Sequence, residues 1–213
     1  MPNRWYISDT HFHHANIIQY GNRPFRDVEQ MHEALIEAWN SVVRPQDHVT
    51  HLGDVSILRG NKQNQEKFIK LIKQLNGHKR LALGNHDHFP IRTYLEVFEK
   101  IYATWRSDEG IIFSHIPIHP RSMGRAIANV HGHIHQNPDY EPVVNTFTGK
   151  IQPYINVCVE ALDYIPIHIE DLKVSIKNAI KEHEDKLNND PSYITSMYRS
   201  TSPEAGGVES GNG

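Results

Sequence analysis

The chain has 213 residues, 38% of them apolar, enough to bury one substantial core and too few to favour two domains. Its formal net charge of -3 and lack of any long Lys/Arg run give no basic field for a nucleic-acid duplex, so duplex binding is not expected. The lone Cys158 cannot close an internal disulfide, Met1-Pro2-Asn3-Arg4-Trp5 has no signal-peptide core, and no apolar stretch approaches the roughly 20 residues a membrane helix needs. A soluble protein of the reducing cytoplasm, with no membrane partner, is the expectation; the composition that stands out is 16 histidines.

In chain order, Trp5-Tyr6-Ile7 reads as a short buried strand delivering Asp9 and His11 at its carboxyl end, two apart and so on one side of an extended segment. The stretch from His13-His14 through Tyr20-Gly21-Asn22-Arg23-Pro24-Phe25 is too irregular for a core element and reads as a loop over the site. His14 and Arg23 are candidate substrate contacts there, Arg23 with Arg26 as a phosphate clamp; the plainer alternatives are a solvated histidine and an arginine lying on Phe25. Asp27 opens a helix, with Gln30 placed to close a capping box and Val28, Met31, Leu35, Trp39 and Val42 forming one stripe to about Val43. Arg44-Pro45-Gln46-Asp47 breaks it, and His48 to Leu52 is a strand leading to Gly53-Asp54, with His51 structural. Residues 62–76 form a second helix with Phe68, Leu71, Ile72 and Leu75 on one side and Asn76-Gly77 as its stop.

Lys79 to Leu83 is a strand running into Gly84-Asn85-His86-Asp87, where an amide oxygen, an imidazole and a carboxylate crowd behind a glycine that lets the chain turn. A short helix is expected from Tyr94 to Lys100, then strands at 101–105 and 111–114 joined by Asp108-Glu109-Gly110, the second ending at His115. The prolines of Ile116-Pro117-Ile118-His119-Pro120-Arg121 forbid a helix, and His119 and Arg121 in this loop are further candidate substrate contacts. Ala128 to His131 is another strand, presenting His133 and His135, again two apart; His131 is either a satisfied strand histidine or a third inward group. Strands at 154–159, burying Cys158, and 164–168 close the fold before a helix from Ile169 with Leu172, Ile176, Ala179, Ile180 and Leu187 on one face. Residues 1–188 read as a single domain and residues 189–213 as a disordered tail.

A histidine beside a strand is more often structural than a ligand, so each cluster alone is weak. Together Asp9, His11, Asp54, Asn85, His115, His133 and His135 supply only oxygen and nitrogen donors, the mixture suited to a hydrolytic Mn, Fe or Zn site. Alternating strands and helices with these residues at strand ends argue for an α/β sheet layered by helices. The order D-x-H, GD, GNHD, a lone His and GHxH, spread over residues 4–157, resembles the calcineurin-like metallophosphoesterases. That resemblance implies a two-sheet β-sandwich flanked by helices, with two divalent ions, Mn first and Fe, Ni or Zn as alternatives, at the carboxyl ends of the strands. It implies Asp9, His11 and His135 on one ion, Asn85, His115 and His133 on the other, and Asp54 bridging. A hydroxide between the ions would attack phosphorus, His86 would be the catalytic residue that protonates the leaving oxygen or stabilises the transition state, and Asp87 would orient a neighbour.

The Ser/Thr protein phosphatases of that superfamily carry an acidic partner for the GNH imidazole soon after GD. Here Gly53-Asp54-Val55-Ser56-Ile57-Leu58-Arg59-Gly60 has the Arg-Gly without it, and the short chain looks more like the small stand-alone bacterial or phage phosphoesterases. The reading is therefore a phosphodiesterase for small substrates, linear or cyclic nucleotides among them. A phosphomonoesterase or nucleotidase is the rival within the class. A non-catalytic metal-binding scaffold is the rival outside it, opposed by the intact His86 and ligand set.

Overall fold

The computed structural model describes residues 2–138, 142–145, 148–190 and 193, so the expected tail beyond Asp190, Tyr193 apart, lies outside the described residues. Strands β1 (Arg4–Ile7), β2 (His48–His51), β3 (His78–Ala82) and β4 (Lys100–Tyr102) run parallel, each delivering its carboxyl end to the same edge. A short antiparallel strand, Ile167–His168, completes a 5-stranded sheet outside β1. The second sheet is 4-stranded: β5 (Thr104–Arg106), β6 (Ile111–Ser114), β7 (Ala128–His131) and, beyond a small ribbon of β8 (Val143–Val144) and β9 (Ile151–Gln152), β10 (Tyr154–Asn156). Its order is β10-β7-β6-β5, with Ile167–His168 becoming β11 in chain order.

Consecutive strand residues serve opposite faces, as the two-residue period requires. Ile7 and Leu81 join Met31, Leu35 and Trp39 of α2 (Val28–Val42) and Phe68 and Ile72 of α3 (Lys62–Ile72) in a core on the outer side of the first sheet. Their neighbours Tyr6 and Ala82 face the second sheet instead, packing with Phe113 and Val130 and with Leu172 and Ile176 of the last helix, Ile169–Asn189. Tyr6 and Phe113 stack across this interior at 4.7 Å. The result is the expected two-sheet sandwich with flanking helices. No helix among the described residues is long and apolar enough to cross a membrane.

Local signals held where side chains close their own backbone. Asp27 accepts the Gln30 N–H at 2.8 Å and starts α2, while the Gln30 side chain reaches back to the Arg26 N–H rather than to that of Asp27. Where tertiary pairing decides, the elements differ. The expected strand over 101–105 is two strands in different sheets: β4 pairs with β3 and β5 with β6, the chain crossing at Ala103. The helix expected over 94–100 lies earlier and is a single turn, α4 (Ile91–Tyr94), because Lys100 is claimed by β4. Ala15–Tyr20 forms a short helix, α1, within the expected loop. Beyond Asn156 the expected strand gives way to a 3-10 turn over Val159–Leu162, followed by left-handed Asp163 (φ 48°) and Tyr164 (φ 65°), which no strand accommodates. The final helix is therefore the fifth, α5.

Candidate metal centre

The strands stop short of the polar clusters. β1 ends at Ile7, and Asp9 (φ 59°) and His11 (φ 50°) are both left-handed, so a kinked turn and not strand pleating puts them together. Asp54 (φ 54°), His133 (φ 72°) and His135 (φ 50°) share this uncommon conformation. For non-glycine residues it persists only where surrounding structure over-determines it, and such residues collect at functional sites. The restraint here is visible: Asp9 N–H donates to Gly53 O at 3.0 Å, His11 N–H to Asp54 O at 3.0 Å, and Gly132 N–H to His115 O at 2.9 Å, zipping the turns edge to edge. A Cβ on Gly132 would overlap Ser8 Oγ and Asp9 Oδ2, and one on Gly84 would overlap the Asp54 carboxylate. Glycine at these positions lets the loops approach the acids.

Two groups result, Asp9 with His11 and His135, and Asp54 with His115 and His133, each offering ligand atoms within 4.8 Å of one another. Asp54 joins them: its Oδ2 lies 3.6 Å from His11 Nε2 and 3.4 Å from His115 Nε2, while its Oδ1 accepts the His86 N–H at 2.7 Å. Asn85 lies beside the second group, with Oδ1 at 2.8 Å from His115 Nε2. On Asp9, Oδ2 is occupied by the His133 N–H at 2.9 Å and the Cys158 thiol at 3.2 Å. Its Oδ1 faces His11 and His135 Nε2, each at 3.7 Å, and has no hydrogen-bond partner, nor has His11 Nε2, although both atoms are buried.

Two adjacent buried atoms without a hydrogen-bond partner would cost about 1–3 kcal/mol each if left so, whereas a cation bound by the carboxylate oxygen and the lone pair of a neutral imidazole would satisfy both. The all-oxygen-and-nitrogen donor set also fits a hard or borderline divalent ion, since burial and the Asp9 charge push the Cys158 thiol up and keep it protonated. Burial alone would raise Asp9, but His11, His115 and His135 hold its carboxyl well below the usual range. Burial likewise opposes the protonation of His115, yet Asp54 and Asp9 win and raise it to about 9, a measure of how much negative charge the centre holds for a cation to balance.

Asp87 does not face the groups. Its carboxylate takes the N–H of Gly84 at 2.8 Å, Asp54 at 2.9 Å and Val55 at 3.0 Å, pinning the Gly84 loop to the Asp54 loop. Burial pushes it up to about 7, against the pull of those three donors. His86 is half-buried, its ring 5.4 Å from that of His11. His14 lies at the rim, with Nδ1 3.4 Å from His11 Nδ1, and burial and His11 lower it to about 4. His51 is structural: its ring nitrogens meet Thr10 Oγ1 at 3.0 Å and the Gly53 N–H at 3.2 Å.

Arg23 corrects the sequence reading. Its side chain is fully buried and its guanidinium donates to Asp9 O at 2.7 Å, Thr10 O at 2.9 Å and Glu160 Oε1, so it braces the turn from behind and cannot clamp a phosphate in front. Arg26 is exposed and paired with Asp27. His119 and Arg121 are exposed; the His119 ring caps its own turn through the Arg121 N–H at 3.2 Å, and no contact ties either to the two groups among the described residues. His131 is a buried strand histidine with Nδ1 2.9 Å from Gly132 O. The sequence reading passed over Glu160, whose carboxylate meets His135 Nδ1 at 3.0 Å. Its only signal was position: an acid directly after the buried run Val157-Cys158-Val159.

A family model for calcineurin-like phosphoesterases matches residues 3–179. The chain belongs to that family. Relatives include the uncharacterized protein MJ1445 of Methanocaldococcus jannaschii, 38% identical over 77% of this chain and 85% of its own. The Gene 66 protein of Mycobacterium phage L5 is 34% identical over 55% of this chain and 64% of its own. Among solved structures, the protein of unknown function AQ665 from Aquifex aeolicus superposes with a TM-score of 0.60 at 25% identity, covering 81% of this chain and 98% of that one. As a calcineurin-like phosphoesterase the chain is a metal-dependent hydrolase of phosphate esters, and it carries two groups of side chains that could hold a metal ion.

Proposed function

We propose that this phosphoesterase hydrolyses small phosphodiesters, linear or cyclic nucleotides among them, using two divalent cations with Mn favoured. Asp9, His11 and His135 would hold one ion and Asn85, His115 and His133 the other. The observation that carries this reading is the Asp54 carboxylate, whose Oδ2 stands between a nitrogen of each group at 3.6 and 3.4 Å. When bound, such cations would screen the ester's charge and lower the pKa of a water bound to them. The chain's own part is positioning and proton transfer. The Asp54 Oδ1 contact to its N–H fixes the His86 backbone, and the half-buried imidazole beside His11 can give a proton to the departing oxygen. His14 at the rim remains the substrate contact that the geometry supports.

The preference for diesters rests on charge. Arg23, the cation drawn into this network, is taken up by backbone carbonyls and Glu160, leaving His14 and His86 among the described residues as side chains for the substrate. A singly charged diester asks for less cationic recognition than a doubly charged monoester. The Mn-loaded chain should therefore hydrolyse bis(p-nitrophenyl) phosphate faster than p-nitrophenyl phosphate, and strong preference for the monoester would replace this reading with a nucleotidase. Failure to hydrolyse either ester, or a panel of nucleotides, with Mn, Fe, Ni or Zn would leave a metal-binding scaffold.

A further inference from the structure

We infer that Glu160 is a positioning residue that fixes His135 as an Nε2 donor and, through Arg23, ties it to the turn carrying Asp9 and His11. The inference rests on the reading of those residues as one metal's ligands. The Glu160 side chain is fully buried and its Oε1 gathers Arg23 Nε at 2.9 Å, Arg23 Nη2 at 2.8 Å and His135 Nδ1 at 3.0 Å. Arg23 passes the connection on to the carbonyls of Asp9 and Thr10 at 2.7 and 2.9 Å. Three stretches of chain, around Arg23, His135 and Glu160, thus meet at one carboxylate, and Arg23 joins them to the turn of Asp9 and Thr10.

A buried Glu–Arg pair is poor value for stability alone, since well-packed apolar side chains of similar volume commonly do as well. An apolar side chain, however, cannot accept an imidazole N–H. A neutral imidazole carries one N–H, and the carboxylate draws it to Nδ1, leaving the Nε2 lone pair aimed toward Asp9 Oδ1 at 3.7 Å. In the other group His115 turns its Nδ1 to a neutral backbone carbonyl, Leu52 O, at 2.8 Å. The two groups are therefore backed differently. An anionic acceptor makes the ligating nitrogen more basic, so the Asp9 group gains affinity that the Asp54 group does not.

The test is Mn²⁺ titration of the chelator-stripped full chain, followed by electron paramagnetic resonance, for wild type and Glu160→Gln. Wild type should take up two equivalents. In the variant one equivalent should weaken by about 10- to 100-fold while the other keeps its affinity. Parallel weakening of both, or of neither, would overturn the inference. Melting in excess chelator separates the structural cost, because a merely structural Glu160 would lower that melting temperature and leave the two equivalents alike. Should the variant not fold, long-range ¹H–¹⁵N spectra of wild type decide: the His135 proton belongs on Nδ1, and finding it on Nε2 in the metal-free chain refutes the role. A wild-type chain that takes up no Mn²⁺ would instead remove the metal reading itself.

Discussion

At Asp54 the two carboxylate oxygens do different work, Oδ1 taking the His86 N–H at 2.7 Å and Oδ2 facing His11 and His115. Asp54→Ala should therefore lose both metal equivalents together with activity, measured by metal analysis of the purified protein. Retention of both would contradict a shared carboxylate. His86 offers its ring and not a ligand atom to either group, so His86→Ala should keep its metal and slow by about 10²- to 10⁴-fold, read as kcat on a chromogenic diester. Gly132→Ala tests the close approach of loops: its methyl would meet Ser8 Oγ and Asp9 Oδ2, and the variant should fold yet bind metal weakly in the same analysis. Such residue types and motif spacings were legible in the sequence. Arg23 and Glu160 were not, because whether an Arg faces substrate or a backbone carbonyl depends on which loop covers it.

At the level of elements, parallel strands fix where the site can form, and one acid holds their opposite ends in register. Asp47, buried after α2, accepts the Asn3 N–H at 2.8 Å, the Arg44 N–H at 3.1 Å and Arg44 Nη2 at 3.0 Å, joining the starts of β1 and β2. Burial alone would raise its pKa, but Arg44 and these backbone donors hold it well below the usual carboxylate range. A depressed folded-state pKa contributes stability in full above the ordinary value near 4; the contribution shrinks as the pH falls below that value and is gone once the folded-state value is passed. Asp47→Ala should cost about 1–3 kcal/mol at pH 7 by leaving buried donors unpaired, and less at pH 3, in urea denaturation at the two values. An equal loss at both would show that its charge is irrelevant. Trp39, buried in α2 with Nε1 3.0 Å from Asn76 O, is the corresponding core anchor. Helix stripes and caps such as these were readable because periodicity and capping are local, whereas the break at Ala103 is set by which sheet each half pairs with.

For the whole molecule, the unpartnered Asp9 Oδ1 and His11 Nε2 mean that the folded chain holds a site the unfolded chain lacks. Metal binding then adds to folding stability, about 2.7 kcal/mol for each site at a free concentration one hundred times its Kd. Thermal unfolding should shift upward when Mn is added to the stripped wild type and should move little in Asp54→Ala. Indifference of the wild type to Mn would contradict a preformed centre.

The sequence by itself determined the inventory: the donor types, their order along the chain, the helix stripes and the α/β class, all written in neighbouring residues or fixed spacings. It supported the calcineurin-like assignment because those motifs occur in their family order. Only the tertiary structure decided how the donors converge, through left-handed turns at Asp9, His11, Asp54, His133 and His135 and not through strand alternation. It also decided that Arg23 and Glu160 stand behind the centre. The physical reason is that left-handed backbone and buried ion pairs are sustained by contacts from distant segments, and the local sequence does not reveal which segments will arrive.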